Sequence, residues 1–386
     1  MIDRAAVLNH LDDEIQQLVD FAMSYADGMA RRDAQFPLAH LDRFEGRPLA
    51  QARLLRVVAD LPTAWAKAKE LGTEVDQAYW GEFSIFGRGN FALVDEAARG
   101  LLDHGRPAAA LDLMQIYMHG ERKRPDPTYV VEGLNALGSG EKDLGRLSTY
   151  EIEILISYLR ETDVDEDEVA MLEWKLLPAL GHEPRGLVLE RKLARDPAFF
   201  VEILSLCFRS RDTDEVPDVQ QHVATNAYRL LGAWHTIPGS AGPRQPIDAQ
   251  ALDDWYAAAK PLLTDVGRLD IGEQVFGQTL AHGPADDDGL WPDHVVRAFI
   301  ETARSEQVET GFRIECFNKR GVVSRSLDEG GKQEYALADQ YDDWAKRMGV
   351  TAPRTAVICR TLAEGYRMDG LRADEETRRR LEGFDN

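Results

Sequence analysis

Apolar residues recur at steps of three and four positions along most of the 386-residue chain. In the segment 11–30, for example, Leu11, Ile15 and Leu18 fall on one face of a helix. This spacing repeats along the chain and predicts roughly fifteen helices of about 10–18 residues. Strict alternation of apolar and polar residues is rare, and its best example is the strand candidate "FRIECF" at 312–317. The pattern therefore predicts an all-α protein with at most a minor β element.

Several predicted helices begin at recognisable start signals. Pro127 and Pro197 each follow an aspartate, and a proline in the first turn loses no hydrogen bond because its missing N–H would have no partner there. Ser148 precedes Glu151 by three positions, which is the spacing of a capping box. Many short helices joined by tight turns favour an irregular helical repeat, an α-solenoid of HEAT or TPR type. A compact multi-helix bundle stays the alternative, because no strict repeat period is visible.

The chain is longer than most single hydrophobic cores, so more than one region is expected. The stretch "IPGSAGPRQPIDAQ" is rich in proline and glycine and poor in apolar residues. It predicts a linker at 237–250, which separates an N-terminal helical-repeat region, 1–236, from a C-terminal helical region, 251–386.

The composition is strongly acidic, with 67 Asp and Glu residues against 45 Lys and Arg residues and a formal net charge of -22. A negative field repels phosphate backbones, so general nucleic-acid binding is disfavoured. The N-terminus does not have the pattern of a signal peptide, and no stretch reaches the ~18 apolar residues of a membrane span. An odd number of widely separated cysteines is typical of a reduced, cytoplasmic chain with buried thiols. These are Cys207, Cys316 and Cys359.

Basic residues are concentrated in one part of this acidic chain, the segment "GFRIECFNKRGVVSRSLDEGGKQE" at 311–334. A further arginine lies in the Gly-Arg-Gly stretch at 87–89, where glycines would let backbone N–H groups approach an anion. These cations predict a partner-binding surface. The alternative is a polar connector in which the same cations pair with neighbouring carboxylates. The predicted partner-binding residues are Arg88, Arg313, Lys319, Arg320, Arg325 and Lys332.

The sequence contains no complete match to a motif of known chemistry. The run 163–168 places aspartates at the first three ligand positions of an EF-hand, but Glu168 and Trp174 stand where that loop needs glycine and glutamate. The nine histidines do not show the short spacing of a zinc-binding helix. Cys316 is the one cysteine beside a basic cluster, yet its apolar neighbours indicate a buried thiol. The sequence therefore predicts no catalytic, cofactor-binding or metal-binding residue.

Two stretches resemble known proteins. The segments "YWGEFSIFGRGNFALVDEAARGLLDHGRPAAALDLM" (79–114) and "ETGFRIECFNKRGVVSRSLDEGGKQEYALADQYDDWA" (309–345) are similar to the helical C-terminal regions of large bacterial multidomain proteins of the phage-defence type. Some of those proteins carry an NTPase or another effector module at their other end. The resemblance implies a helical region whose catalytic module lies elsewhere.

The sequence predicts a non-catalytic scaffold, adaptor or sensor module that binds another protein, such as an effector or NTPase module of a bacterial defence system. Two alternatives stay open. One is a hydrolase or nuclease with an unfamiliar site near Cys316, Arg320 and Arg325. The other is an acidic inhibitor that mimics DNA.

Overall fold

The computed structural model describes residues 4–84, 91–121, 124–138, 147–180, 187–211, 219–321, 326, 329–381 and 383. Within these ranges the chain is helical and contains no strand, and one isolated antiparallel bridge joins Ser240 to Ile247. The prediction of an all-α protein is confirmed. Among the described helices, none has both the length and the hydropathy needed to cross a bilayer.

The chain divides into two compact units, residues 1–172 and 173–386. In the described part of the first unit, eleven α-helices begin, and short 3-10 helices lie between them at Leu8–His10, Leu41–Phe44 and Phe91–Leu93. The helices are α1 (Arg4–Val7), α2 (Gln16–Ala30), α3 (Phe36–Ala39), α4 (Pro48–Leu55), α5 (Leu61–Leu71), α6 (Thr73–Glu82), α7 (Val94–Asp103), α8 (Pro107–Glu121), α9 (Pro127–Gly138), α10 (Thr149–Leu159) and α11 (Glu166–Leu176).

In the second unit, a 3-10 helix at Leu177–Ala179 precedes nine further described α-helices. The predicted linker at 237–250 lies inside this unit, where Ile237 is buried and the backbone N–H of Asp248 donates to Gly239 O. The predicted division into 1–236 and 251–386 stays a prediction. The helices are α12 (Val188–Arg195), α13 (Pro197–Cys207), α14 (Gln221–Gly232), α15 (Ala249–Asp265), α16 (Leu269–Leu280), α17 (His294–Ala303), α18 (Glu306–Asn318), α19 (Lys332–Met348) and α20 (Pro353–Leu381).

The start signals act as the sequence predicts. The Ser148 hydroxyl accepts a hydrogen bond from the backbone N–H of Glu151, and the Glu151 carboxylate accepts one from the backbone N–H of Ser148. At the start of α13, the Asp196 carboxylate accepts from the backbone N–H groups of Ala198 and Phe199, at 2.9 and 3.2 Å. These side chains satisfy N–H groups that have no partner within their own helix.

The strand candidate at 312–317 is wrong, because this segment lies within α18. Phe312 and Cys316 are buried, and with Val308 they form a stripe at steps of four residues. Phe312 and Cys316 are four residues apart, and this spacing fits both the two-residue period of a strand and the 3.6-residue period of a helix. The segment 312–317 therefore resembles a strand when it is read alone. The longer run from Val308 to Cys316 fits only the helical one.

Helices α16 and α18 touch backbone to backbone. A Cβ atom placed on Gly277 would lie 2.1 Å from Val308 O, and one placed on Gly311 would lie 1.9 Å from Gln274 O. No side chain fits at either position without moving the opposite backbone, so the two glycines set the distance between the helices. This packing holds the C-terminal ends of α16 and α18 beside each other.

A cluster of aromatic side chains packs against α16. Trp234 and Trp255 have ring centroids 5.6 Å apart, and Trp255 stacks on Phe276 of α16 at 5.0 Å. The Trp255 Nε1–H donates to Leu193 O at 3.1 Å, which satisfies the buried indole. The chain segment that follows Trp234 is therefore fixed against α16.

Candidate functional site

A cavity of about 1140 Å³ lies in the second unit, where the C-terminal ends of α16 and α18 meet the segments 232–235 and 281–285. Its volume is large enough for a small-molecule ligand. Aromatic side chains line part of it, and charged or hydrogen-bonding side chains converge on the rest. The polar residues of the lining include His235, Arg244, His282, Glu315, Asn318 and Lys319.

His235, His282 and Glu315 form a cluster on the cavity wall. The two imidazole rings are stacked, with centroids 3.7 Å apart and planes inclined by 25°. His282 Nε2 lies 3.0 Å from Glu315 Oε1, and both side chains are only 16% exposed. The three residues come from separate elements, so the fold brings together groups that are distant in sequence.

The Glu315 carboxylate is held in its ionised form. Burial alone would raise its pKa, but hydrogen bonds from His282 and Asn318, together with the nearby imidazole of His235, lower the pKa below its ordinary value. Asn318 Nδ2 donates to Glu315 Oε2 at 3.2 Å. Each carboxylate oxygen therefore has its own partner, and the orientation of the carboxylate is fixed.

Lys319 brings a positive charge to the same cavity. Although the residue as a whole is exposed, its Nζ donates to Ala281 O at 2.8 Å and lies 4.0 Å from the centroid of the Trp291 ring. Burial lowers the pKa of this ammonium, and the positive charge of Arg244 lowers it further. Two cations thus line this side of the cavity, where the Glu315 carboxylate attracts Lys319 while Arg244 repels it.

Cys316, the one candidate nucleophile, faces the protein interior. Its side chain is buried, and desolvation raises the pKa of the thiol to about 12. A thiol with that pKa is protonated at neutral pH and is a poor nucleophile. The structure therefore gives Cys316 the environment of a packing residue, as its apolar neighbours indicated.

The other predicted partner-binding residues have different surroundings, although Arg320 lines a smaller cavity together with Lys319. Arg320 forms an ion pair with the buried carboxylate of Glu334, and its guanidinium lies 5.4 Å from the Tyr366 ring centroid. Arg313 is half-buried on α18, and Lys332 is exposed at the start of α19. The last two predicted residues, Arg88 and Arg325, lie outside the described residues. Partner binding by this set stays a prediction.

No short motif in the sequence points to the histidine cluster. His282 and Glu315 are 33 positions apart, and His235 belongs to yet another segment. Metal-binding and catalytic motifs can be recognised in a sequence only when their residues lie close together at regular positions. The one signal that pointed here was the basic segment at 311–334, which contains Lys319 and Glu315.

Comparison of the chain with family models, with curated proteins and with solved structures gives no match.

Proposed function

We propose that this chain is a non-catalytic sensor module whose second unit binds a small anionic molecule in the cavity. The observation that carries the proposal is the pair of neighbouring cations, Lys319 and Arg244, on a cavity whose walls also carry two imidazoles. The ligand class follows from the charge of these groups.

An anion placed between Lys319 and Arg244 would be attracted to both cations. An ammonium has three N–H donors, and one of those of Lys319 is used by Ala281 O. The remaining donors are available to a carboxylate or phosphate oxygen. Charge-assisted hydrogen bonds of this kind are among the strongest in proteins.

The net charge of -22 opposes anion binding at long range. Salt limits that opposition, because the Debye length is about 8 Å at physiological ionic strength. Attraction at hydrogen-bond distance inside a cavity is screened far less. We therefore expect anion binding to persist at physiological salt, while binding of long polyanions such as duplex DNA stays weak.

A thermal-shift screen of the full chain tests the proposal, with nucleotides, sugar phosphates and di- and tricarboxylates as probes. At about 100 times Kd, a ligand adds about 2.7 kcal/mol of stability, which raises Tm by several degrees. The expected result is that at least one class raises Tm in the native chain and in Lys332→Met, but not in Lys319→Met or Arg244→Gln.

The control is matched, because Lys332→Met removes an exposed lysine of the same unit outside the cavity. Two results would overturn the proposal. One is the absence of a shift with all three classes of anion. The other is a shift that survives in both cavity variants.

A protein-binding surface is the second candidate function, and α20 favours it. Val357, Met368 and Leu371 are 56%, 54% and 57% exposed on this helix. Met368 and Leu371 are neighbours on one face, and Val357 lies on the same face beyond the exposed Glu364. An apolar face of this kind suits a protein partner in the cytoplasm, such as the effector or NTPase module of a defence system. The helical-repeat arrangement that an adaptor would use stays a prediction.

Substitution on that face tests the second candidate. Met368→Asp and Leu371→Asp should abolish recovery of a partner that the native chain captures from a native lysate. Val350→Asp, which changes a 96% exposed residue before α20, should leave recovery unchanged. Equal recovery by all variants would rule out this face as the partner site.

A further inference from the structure

We propose that His235, His282 and Glu315 bind a divalent transition-metal ion of the zinc class. One ligand atom of each residue lies within 4.8 Å of those of the other two. Two imidazoles and one carboxylate form a known zinc ligand set, in which a fourth position stays open to water or another ligand. Here that fourth position would face the cavity.

The spacing of two of the donors already suits a metal ion. Tetrahedral zinc with bonds of about 2.0 Å holds neighbouring donor atoms about 3.3 Å apart. His282 Nε2 and Glu315 Oε1 are 3.0 Å apart, so an ion replacing the hydrogen bond would separate them by a few tenths of an ångström. His235 is the residue that must turn, because its ring is stacked on that of His282 and its nearest ligand atom lies only within 4.8 Å of the other two.

The groups behind the ligands hold them in place. Asn318 Nδ2 donates to Glu315 Oε2, which leaves Oε1 directed at His282. The backbone N–H of His235 donates to the buried carboxylate of Glu190 at 3.4 Å. The Asn318 contact orients the carboxylate as the partners of metal ligands do, while the Glu190 contact fixes only the backbone of His235 and leaves its ring able to turn.

A second cluster of possible ligands, Asp286, Asp293 and His294, is explained without a metal. Asp286 accepts a hydrogen bond from the backbone N–H of His294 and forms an ion pair with Arg297 at 2.7 Å. Asp293 caps α17 by accepting from the backbone N–H of Val295. Both carboxylates have structural roles, so this cluster serves as the control.

The inference rests on the proposed function in one respect, because the open fourth position would take an oxygen of the anionic ligand. Lys319 and Arg244 would then contact the same anion. The ion would add positive charge where two cations already lie, and it would therefore raise the affinity for anions rather than for neutral molecules.

Isothermal titration of untagged, chelator-treated full-length chain with Zn²⁺ tests the inference. The native chain and His294→Ala should each bind one ion at the cavity. His282→Ala, His235→Ala and Glu315→Gln should lose about tenfold or more in affinity. Glu315→Gln nearly preserves the shape of the side chain, so its loss of affinity, with an unchanged far-UV circular dichroism spectrum, cannot come from unfolding.

Titration with Co²⁺ identifies the ligands independently. The native chain should show the ligand-field bands of a tetrahedral site without a thiolate charge-transfer band, and Glu315→Gln should not show these ligand-field bands. Native affinity for Zn²⁺ in all three cavity variants, or a thiolate band, would overturn the inference. Anion binding without metal binding would overturn this inference alone. Metal binding without a thermal shift from any anion would overturn the proposed function instead.

Discussion

In the first unit, the Glu82 carboxylate lies between Arg53 and Arg56, with each of its oxygens 2.6 Å from a guanidinium nitrogen. In the second unit, Lys319 and Arg244 lie near each other on the wall of a cavity. Burial alone would raise the pKa of Glu82, but the two arginines outweigh it and lower that pKa. Burial lowers the pKa of Lys319 and the charge of Arg244 lowers it further, whereas Cys316 and the Glu315 carboxylate raise it.

The difference separates a structural charge cluster from a binding site. At Glu82 each charge meets its opposite, so the cluster stabilises the fold without a ligand. At Lys319 the ammonium lies beside a void, near the carboxylate of Glu315, so a small anion can also reach it. The predictions below test this contrast.

The largest expected effect comes from closing the space between α16 and α18. Gly277→Ala should destabilise the second unit by about 3 kcal/mol, because its Cβ would lie 2.1 Å from Val308 O. Gly28→Ala on α2 is the control, since a Cβ there meets nothing within 4 Å. That variant should be stabilised by about 0.5–1 kcal/mol. Urea unfolding followed by circular dichroism measures both, and similar effects would contradict the packing described.

The next effect is the loss of a paired charge in the first unit. Glu82→Gln should lower the free energy of unfolding by about 1–2 kcal/mol at neutral pH, because charged hydrogen bonds to Arg53 and Arg56 are lost. Glu132→Gln, at a more exposed pair with Arg99, should lower it by about 0.5 kcal/mol or less.

The pH dependence of that effect has a definite sign. The pKa of Glu82 is lower in the folded chain than its ordinary value of 4.5, so its stabilisation is fully present above that value. As the pH falls through the folded pKa, the advantage of the native chain over Glu82→Gln should vanish. Urea unfolding of both chains at a series of pH values checks this, and a difference that grows in acid would contradict it.

A smaller effect is expected where the charge serves a ligand. Lys319→Met should change the free energy of unfolding by no more than about 0.5 kcal/mol, because the desolvation of the ammonium offsets its contacts with Ala281 O and Trp291. The same variant should abolish the anion-dependent rise in Tm. A loss of stability as large as that of Glu82→Gln would assign Lys319 a structural role.

The smallest effect concerns Cys316, which should be inert. With a thiol pKa of about 12, only about one molecule in 10⁴ carries a thiolate at pH 8. Iodoacetamide should therefore label half-buried Cys207 before Cys316 in the native chain, and should label both in urea. Cys316→Ala should leave anion binding unchanged. Rapid native labelling of Cys316 would restore it as a candidate nucleophile.

Local signals in the sequence predicted much of the fold. The capping box at Ser148 and the start of α13 at Pro197 are set by neighbours within three residues, so they are readable without the tertiary structure. The segment 312–317 was ambiguous because its apolar residues fit both periods, and contacts of α18 with α16 decide the outcome. A local hydrophobic pattern cannot predict the structure of a segment that suits both a helix and a strand, because tertiary packing then decides between them.

The candidate site could be predicted only in part. Lys319 was among the predicted partner-binding residues because basic residues cluster along the chain, whereas His235 and His282 have no local partner in sequence. His282 meets Glu315 because Gly277 and Gly311 let α16 and α18 approach closely. That approach depends on a glycine in each of two separate helices. The pattern of hydrophobic residues does not show which glycines allow two helices to pack closely.

A crystal structure of the full chain, grown with Zn²⁺ and the anion that gives the largest thermal shift, tests the central claim most directly. We predict an anomalous zinc peak between His282 Nε2 and Glu315 Oε1, with density for the anion reaching from the ion to Lys319. Zinc and anion found only outside the cavity would contradict the account.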